Sequence, residues 1–114
     1  MKYLMMVCVE GPPDDAEPME PGEDVEPWVE EMDRRGARIM GERIRPSGDW
    51  TTVRVKKGEV LVSDGPYAET KEFMGGFDII EAADLDEAIE IASKHPVAKF
   101  GALELRPFWP FSED

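Results

Sequence analysis

Apolar positions along the chain change period from segment to segment, and each change marks an element. Residues 2–9, KYLMMVCV, are a short run dense in Leu, Met and Val. The run is too short for a buried helix and predicts a central strand covered on at least one face. From Asp24 the spacing becomes helical: Val25, Trp28, Val29 and Met32 recur at intervals of three and four, with Glu26, Glu30 and Glu31 largely on the opposite side. That helix is expected to run to about Arg35, capped by Asp24, with Pro27 in its first turn, basic residues in its last and Gly36 at its end. Trp28 is its expected core anchor. Residues 37–45 read as a strand broken or bulged at Gly41. Thr51 to Lys56 alternates, with Val53 and Val55 facing one way, and predicts a half-buried antiparallel strand. Lys57-Gly58 makes a turn, and Glu59 to Ser63 returns with Val60 and Val62 on a single face. Gly76 to Ala82 predicts another strand. Asp84 then caps a second helix, three residues before Glu87 as in a capping box, with Leu85, Ala88, Ile89 and Ala92 as its apolar face and Pro96 ending it at His95. Gly101 to Arg106 is the last strand, before the aromatic tail PFWPFSED.

This order places the chain in the α+β class, as a βαββαβ frame with an inserted β-hairpin and both helices able to cover one face of an antiparallel sheet. The other face, if apolar, calls for a second copy of the chain, because a large bare apolar patch is a liability. The length of 114 residues suits one domain over 1–114.

Composition narrows the partners. A formal charge of -13 repels phosphate backbones, and the adjacent basic pairs are Arg34-Arg35 and Lys56-Lys57, so nucleic acid is not an expected partner. Residues 10–23, EGPPDDAEPMEPGE, hold four prolines and no basic residue and predict an acidic, solvated loop. Cys8, the only cysteine, reads as a strand residue, which leaves no intramolecular disulfide. The opening apolar run is short and is followed by acidic, Pro-rich sequence, so it reads as a strand rather than a signal peptide. Nothing approaches the roughly 20 apolar residues of a membrane span. A cytoplasmic protein with no membrane partner is expected.

The polar density of residues 63–77, SDGPYAETKEFMGGF, is the strongest functional signal. Asp64-Gly65-Pro66 has turn chemistry, and Tyr67 follows. Asp64, Glu69, Lys71 and Glu72 fall within nine residues, a grouping that serves either a connector or a site for a carboxylate or amine. Gly75-Gly76 permits close backbone approach or a bulge, and the phosphate-loop spacing is absent. His95, the one histidine, is the side chain suited to proton exchange near neutrality, and a helix C-terminus favours its charged form. It reads as an end-of-helix residue, a general acid or base, or a metal ligand. A lone histidine among scattered carboxylates defines no metal site, and no cofactor is expected. Phe108, Trp109 and Phe111 suit the core, a pocket lining or a dimer contact, and Trp50 suits the closure of a pocket or loop.

Residues 41–108 resemble the YCII-related family, in its DGPF-type branch. The resemblance rests on GE at 41–42, RP at 45–46, TTVRV at 51–55, DGPYAETKE at 64–72, GGF at 75–77, DLDEA at 84–88, HP at 95–96 and LRP at 105–107. It implies a ferredoxin-like domain that forms a dimeric α+β barrel, with a cleft for small molecules and similarity to small lyases and isomerases. Tyr67 stands where the DGPF motif has Phe. The His-Asp pair of the YCII branch proper, with its histidine early in the chain, does not transfer, since the first half here has no histidine. The expected function is therefore a homodimer with a small-organic-ligand cleft, carrying out cofactor-independent acid-base chemistry of lyase or isomerase type. Asp64 and His95 would be catalytic, and Tyr67, Glu69, Lys71 and Glu72 would bind substrate. The alternative is a non-catalytic ligand-binding or regulatory, stress-response module.

Overall fold

The computed structural model describes residues 1–10, 24–67 and 72–112, with the backbone alone for Glu10, Glu72 and Phe73. The expected loop over 10–23 lies outside the described residues from 11 onward, as do Glu69 and Lys71 of the polar segment. The elements are β1 (Lys2–Glu10), α1 (Glu26–Arg34), β2 (Arg38–Arg43), a short 3-10 turn (Ser47–Asp49), β3 (Thr51–Lys56), β4 (Glu59–Asp64), β5 (Glu72–Glu81), α2 (Leu85–Ser93), a second 3-10 turn (Pro96–Lys99) and β6 (Ala102–Pro107). β5 starts four residues before the expected strand.

Four strands form an antiparallel sheet in the order β2-β5-β1-β6, and β3-β4 forms a separate two-stranded sheet. The dimeric α+β barrel that the resemblance implies is corrected by this topology. β2 and β6 are the sheet's edges and it stays open. No sheet among the described residues closes on itself, and the chain after β2 leaves as a separate hairpin instead of extending the sheet. What stands is an α+β fold with an open sheet.

Strand alternation divides the sheet into two faces. Tyr3 and Met5 of β1, Ile80 of β5, Trp28 and Met32 of α1, and Ala88, Ile91 and Ala92 of α2 form one buried cluster, with Leu103 and Leu105 of β6 packed against it. Both helices therefore cover the same face. On the other face the register aligns Met40, Ile79, Leu4 and Arg106 in one row and Glu42, Phe77, Met6 and Glu104 in the next. Its centre is apolar and its rim charged.

Local chemistry sets the helix ends. α1 starts later than expected: Val25 occupies the cap position, and the Asp24 carboxylate instead accepts the Glu26 N–H at 2.9 Å. Gly36, at φ 69°, ends the helix as expected. At α2 the Asp84 carboxylate accepts the Glu87 N–H at 2.8 Å, and Glu87 accepts the Ala83 N–H at 3.3 Å. Asp84→Ala should remove about 1 kcal/mol, seen as a lower denaturant midpoint at unchanged slope. The face that α2 buries differs from the expected one: Ile91 is fully buried, while Leu85 and Ile89 are half exposed. Ile91 lies three residues from Ala88 and takes the stripe that Leu85 and Ile89 vacate.

The hairpin also departs from expectation. Lys57 and Gly58 both have positive φ, 52° and 77°, the geometry of a two-residue hairpin turn. Val53 pairs with Val62 and Val55 with Val60. These valines are 60–68% exposed, so the strand expected to be half-buried lies bare to solvent. The irregularity in β2 falls between Arg38 and Met40 rather than at Gly41. Gly41 has a different role, described below. Among the described residues, no helix is long and apolar enough to cross a membrane.

Candidate functional site

Of the sequence-predicted residues, Asp64, Tyr67 and His95 can be placed, and Glu72 by its backbone. Asp64 ends β4, opposite Thr51, with an exposed side chain. Tyr67 follows it, 76% exposed. Glu72 opens β5, and its side chain, like all of Glu69 and Lys71, is outside the described residues. His95 is buried, 5% exposed, on the helix-covered side of the molecule. The structure thus puts Asp64 and Tyr67 on the solvent-facing hairpin and His95 inside the packed layer.

The surroundings of His95 follow from the end of α2. Pro96 cannot continue the helix and begins a 3-10 turn, for which His95 is the cap. Its Nδ1 accepts the Val97 N–H at 3.1 Å, and its ring meets Trp28 edge-on at 4.9 Å between centroids. Trp28 is itself fixed, its indole N–H donating to the Ile91 carbonyl at 2.9 Å. Burial pushes the imidazole down to about 4. The expectation that the end of α2 favours a charged histidine is corrected: desolvation outweighs the helix dipole, and an acceptor Nδ1 is a neutral-ring arrangement.

Sequence reasoning missed a partly buried ion pair. The Asp78 carboxylate, on β5, accepts from the Arg38 Nε–H at 2.8 Å, and Arg38 also donates to the Gly41 carbonyl at 3.2 Å. Asp33 lies 3.5 Å from the same guanidinium. Burial raises the Asp78 carboxyl, and Arg38 opposes that rise. For Arg38, burial acts to lower the guanidinium, but Asp78 and Asp33 together hold it raised. A Cβ at position 41 would overlap the Asp78 carboxylate, so glycine there makes room for the pair. The sequence signal was Asp78 in GGFDII, where a charge shares strand parity with the buried Ile80.

The base of the hairpin is fixed by hydrogen bonds of its own. The Trp50 indole donates to the Arg45 carbonyl at 2.6 Å, the Gly65 N–H to the Trp50 carbonyl at 2.7 Å, and the Thr52 hydroxyl to the Gly65 carbonyl at 2.8 Å. Gly65 has φ 94°, a conformation that a side chain would strain. These bonds lock the Asp-Gly-Pro turn and carry Tyr67 back over β3, where the Arg54 guanidinium lies 5.2 Å from its ring centroid. Next to this base, a cleft of about 380 Å3 is lined by Glu42, Arg43, Ile44, Arg45 and Pro46. Five of the 13 basic residues, Arg43, Arg45, Arg54, Lys56 and Lys57, fall within residues 43–57, where Asp49 is the one acidic residue. Asp49 is bonded to Arg45 at 3.0 Å. Lys56 and Lys57 sit at the hairpin's tip, while Arg43, Arg45 and Arg54 are spread over β2, the segment after it and β3, so adjacent pairs alone do not reveal the local excess of cations. Among the described residues no group of three or more His, Cys, Asp or Glu side chains is placed to hold a metal ion.

A family model for the YCII-related domain matches residues 2–112. The chain belongs to the YCII-related family. This YCII-related chain is also 43% identical over 67 residues to an uncharacterised protein of Rhizobium meliloti (strain 1021), a match that covers 57% of the chain and 54% of the relative. The chain thus spans about half the length of that relative. Within the YCII-related domain, the basic hairpin base combines charge, an aromatic ring and a cleft.

Proposed function

We propose that this protein is a DGPF-type member of its family, one domain over 1–114, acting as a homodimeric binding module for a small organic anion. The observations that carry this reading are the Arg54–Tyr67 contact on a hairpin base fixed by three hydrogen bonds and the Arg43 and Arg45 side of the cleft that also holds Glu42, in a chain of net charge -13. A local cationic surface in an acidic protein concentrates anions where the overall field repels them. A guanidinium presents paired donors to a carboxylate, and the exposed Tyr67 ring offers a face for stacking. Acid-base chemistry by Asp64 and His95 would need both within hydrogen-bond reach of one ligand. The burial of His95 behind Trp28 and the exposure of Asp64 favour the binding reading over it.

The homodimer is supported by the open sheet face, where Leu4, Met6, Phe77 and Ile79 form an apolar centre that no element of the chain's two helices covers. Calorimetric titration with a panel of aliphatic and aromatic carboxylates tests the ligand. Arg54→Ala should weaken binding of the best carboxylate at least about tenfold, the loss of one charge-assisted hydrogen bond, while His95→Asn leaves it unchanged. Equal affinity in the Arg54 variant would overturn the site.

A further inference from the structure

The hairpin β3-β4 has two unlike faces. One carries Thr52 and Arg54 under Tyr67, the side assigned above to the ligand. The other carries Val53, Val55, Val60 and Val62 as two cross-strand pairs. Single exposed apolar residues need no explanation, but paired valines 60–68% exposed form one continuous strip. A two-stranded hairpin is at best marginally stable alone in water, and the hydrogen bonds that anchor this one sit at its base, through Trp50, Thr52 and Gly65. The radius of gyration is 16.1 Å with extents of 47 × 43 × 19 Å, against about 13 Å for a compact chain of this size. The molecule is thus flat and extended.

Charge indicates what covers the strip. Lys56 and Lys57 at the hairpin's tip belong to the basic stretch 43–57, in a chain whose remainder is strongly acidic. A second copy of the chain offers both things the strip lacks: an apolar surface, the open sheet face, and at its β2 edge a carboxylate free among the described residues, Glu42, Glu104 on the β6 edge being already paired with Arg106. In a two-fold pair each contact occurs twice.

We infer that β3-β4 is a dimerisation arm, its valine face packed on a second copy at the rim of the partner's open sheet face and its lysine tip set among acidic side chains. This rests on the homodimer proposed above and adds a surface to it. Sedimentation equilibrium across a concentration series tests it, with the wild type and the double variants Val53→Thr/Val62→Thr and Val55→Thr/Val60→Thr. Threonine keeps β propensity and shape but adds a hydroxyl. The wild type should be dimeric, and each variant should retain its circular dichroism while its dimer dissociation constant rises at least about tenfold, as expected when buried methyls are replaced by polar groups. In hydrogen exchange of the unmodified protein, peptides within 51–64 should lose protection on dilution through the dissociation midpoint, a readout independent of how the variants fold. A wild type that stays monomeric overturns both the homodimer and the arm. A wild-type dimer whose affinity is unaltered by the substitutions, or whose hairpin exchanges equally fast at all concentrations, leaves the homodimer standing and overturns the arm.

Discussion

Arg38→Met should lower the unfolding free energy by about 3 kcal/mol, several times the effect of removing an exposed charge. The reason is what it leaves behind. Asp78 is nearly inaccessible, at 7% exposure, and its carboxylate is held by the Arg38 Nε–H at 2.8 Å. Without the guanidinium, the carboxylate either stays ionised in a place that penalises charge or takes up a proton, and each route costs free energy. Surface pairs such as Arg45–Asp49 lie in water and contribute little by comparison. The double variant Arg38→Met/Asp78→Leu should recover much of the loss, because no unpaired charge remains. Urea unfolding of the two variants checks this. A cost below about 1 kcal/mol for Arg38→Met, typical of a surface pair, would mean the pair is solvated in solution.

The second large effect is on pH. Burial depresses His95 from 6.5 to about 4, so the folded state binds its proton less tightly than the unfolded chain. Stability from this group is fully present above pH 6.5 and is lost as the pH falls toward 4. For a nearly inaccessible ring the loss is about 3 kcal/mol. Glu90, whose pairs with Arg35 and Lys94 lower it from 4.5 to about 2, acts in a more acidic window and is exposed. Asp78 acts in the opposite sense: with its carboxyl raised by burial, the folded state gains relative to the unfolded chain as the pH falls. His95→Asn retains an acceptor for the Val97 N–H but does not titrate, so between pH 6.5 and 4 the wild type should lose stability relative to the variant. Parallel profiles for the two proteins would place the neutral histidine in error.

The same two residues mark how far the sequence could be read. Helical spacing put Val25, Trp28, Val29 and Met32 on one face of α1, where Trp28 and Met32 are buried and Val25 and Val29 partly so, and Lys57-Gly58 identified the hairpin turn, because these signals are local. Alternation in β3 separated its two faces but did not say that either was covered, so the valines were expected inside. In α2 the choice among Leu85, Ile89 and Ile91 depended on where the sheet lies, which spacing alone leaves open. The Arg38–Asp78 pair joins positions 40 residues apart through the β2-β5 register, and the burial of His95 depends on Trp28 from a different helix. Reading a histidine beside a helix end as charged fails for the same reason: the dipole is local, whereas desolvation is set by tertiary packing. The motif Asp64-Gly65-Pro66-Tyr67 was visible, but the Arg54 guanidinium over the tyrosine ring required the hairpin. The inferred barrel failed at the level of topology, where the edges β2 and β6 remain unjoined.

The position at which a small anion binds decides between the hairpin base and the His95 layer. Amide chemical-shift mapping during titration with the tightest carboxylate of the panel reads that position directly. Shifts that saturate together at Thr52, Arg54, Gly65 and Tyr67, with the single His95 imidazole resonance unmoved, are the predicted result. Saturable shifts centred on His95, Trp28 and Val97, with the hairpin base silent, would contradict it and move the site into the helix-covered layer.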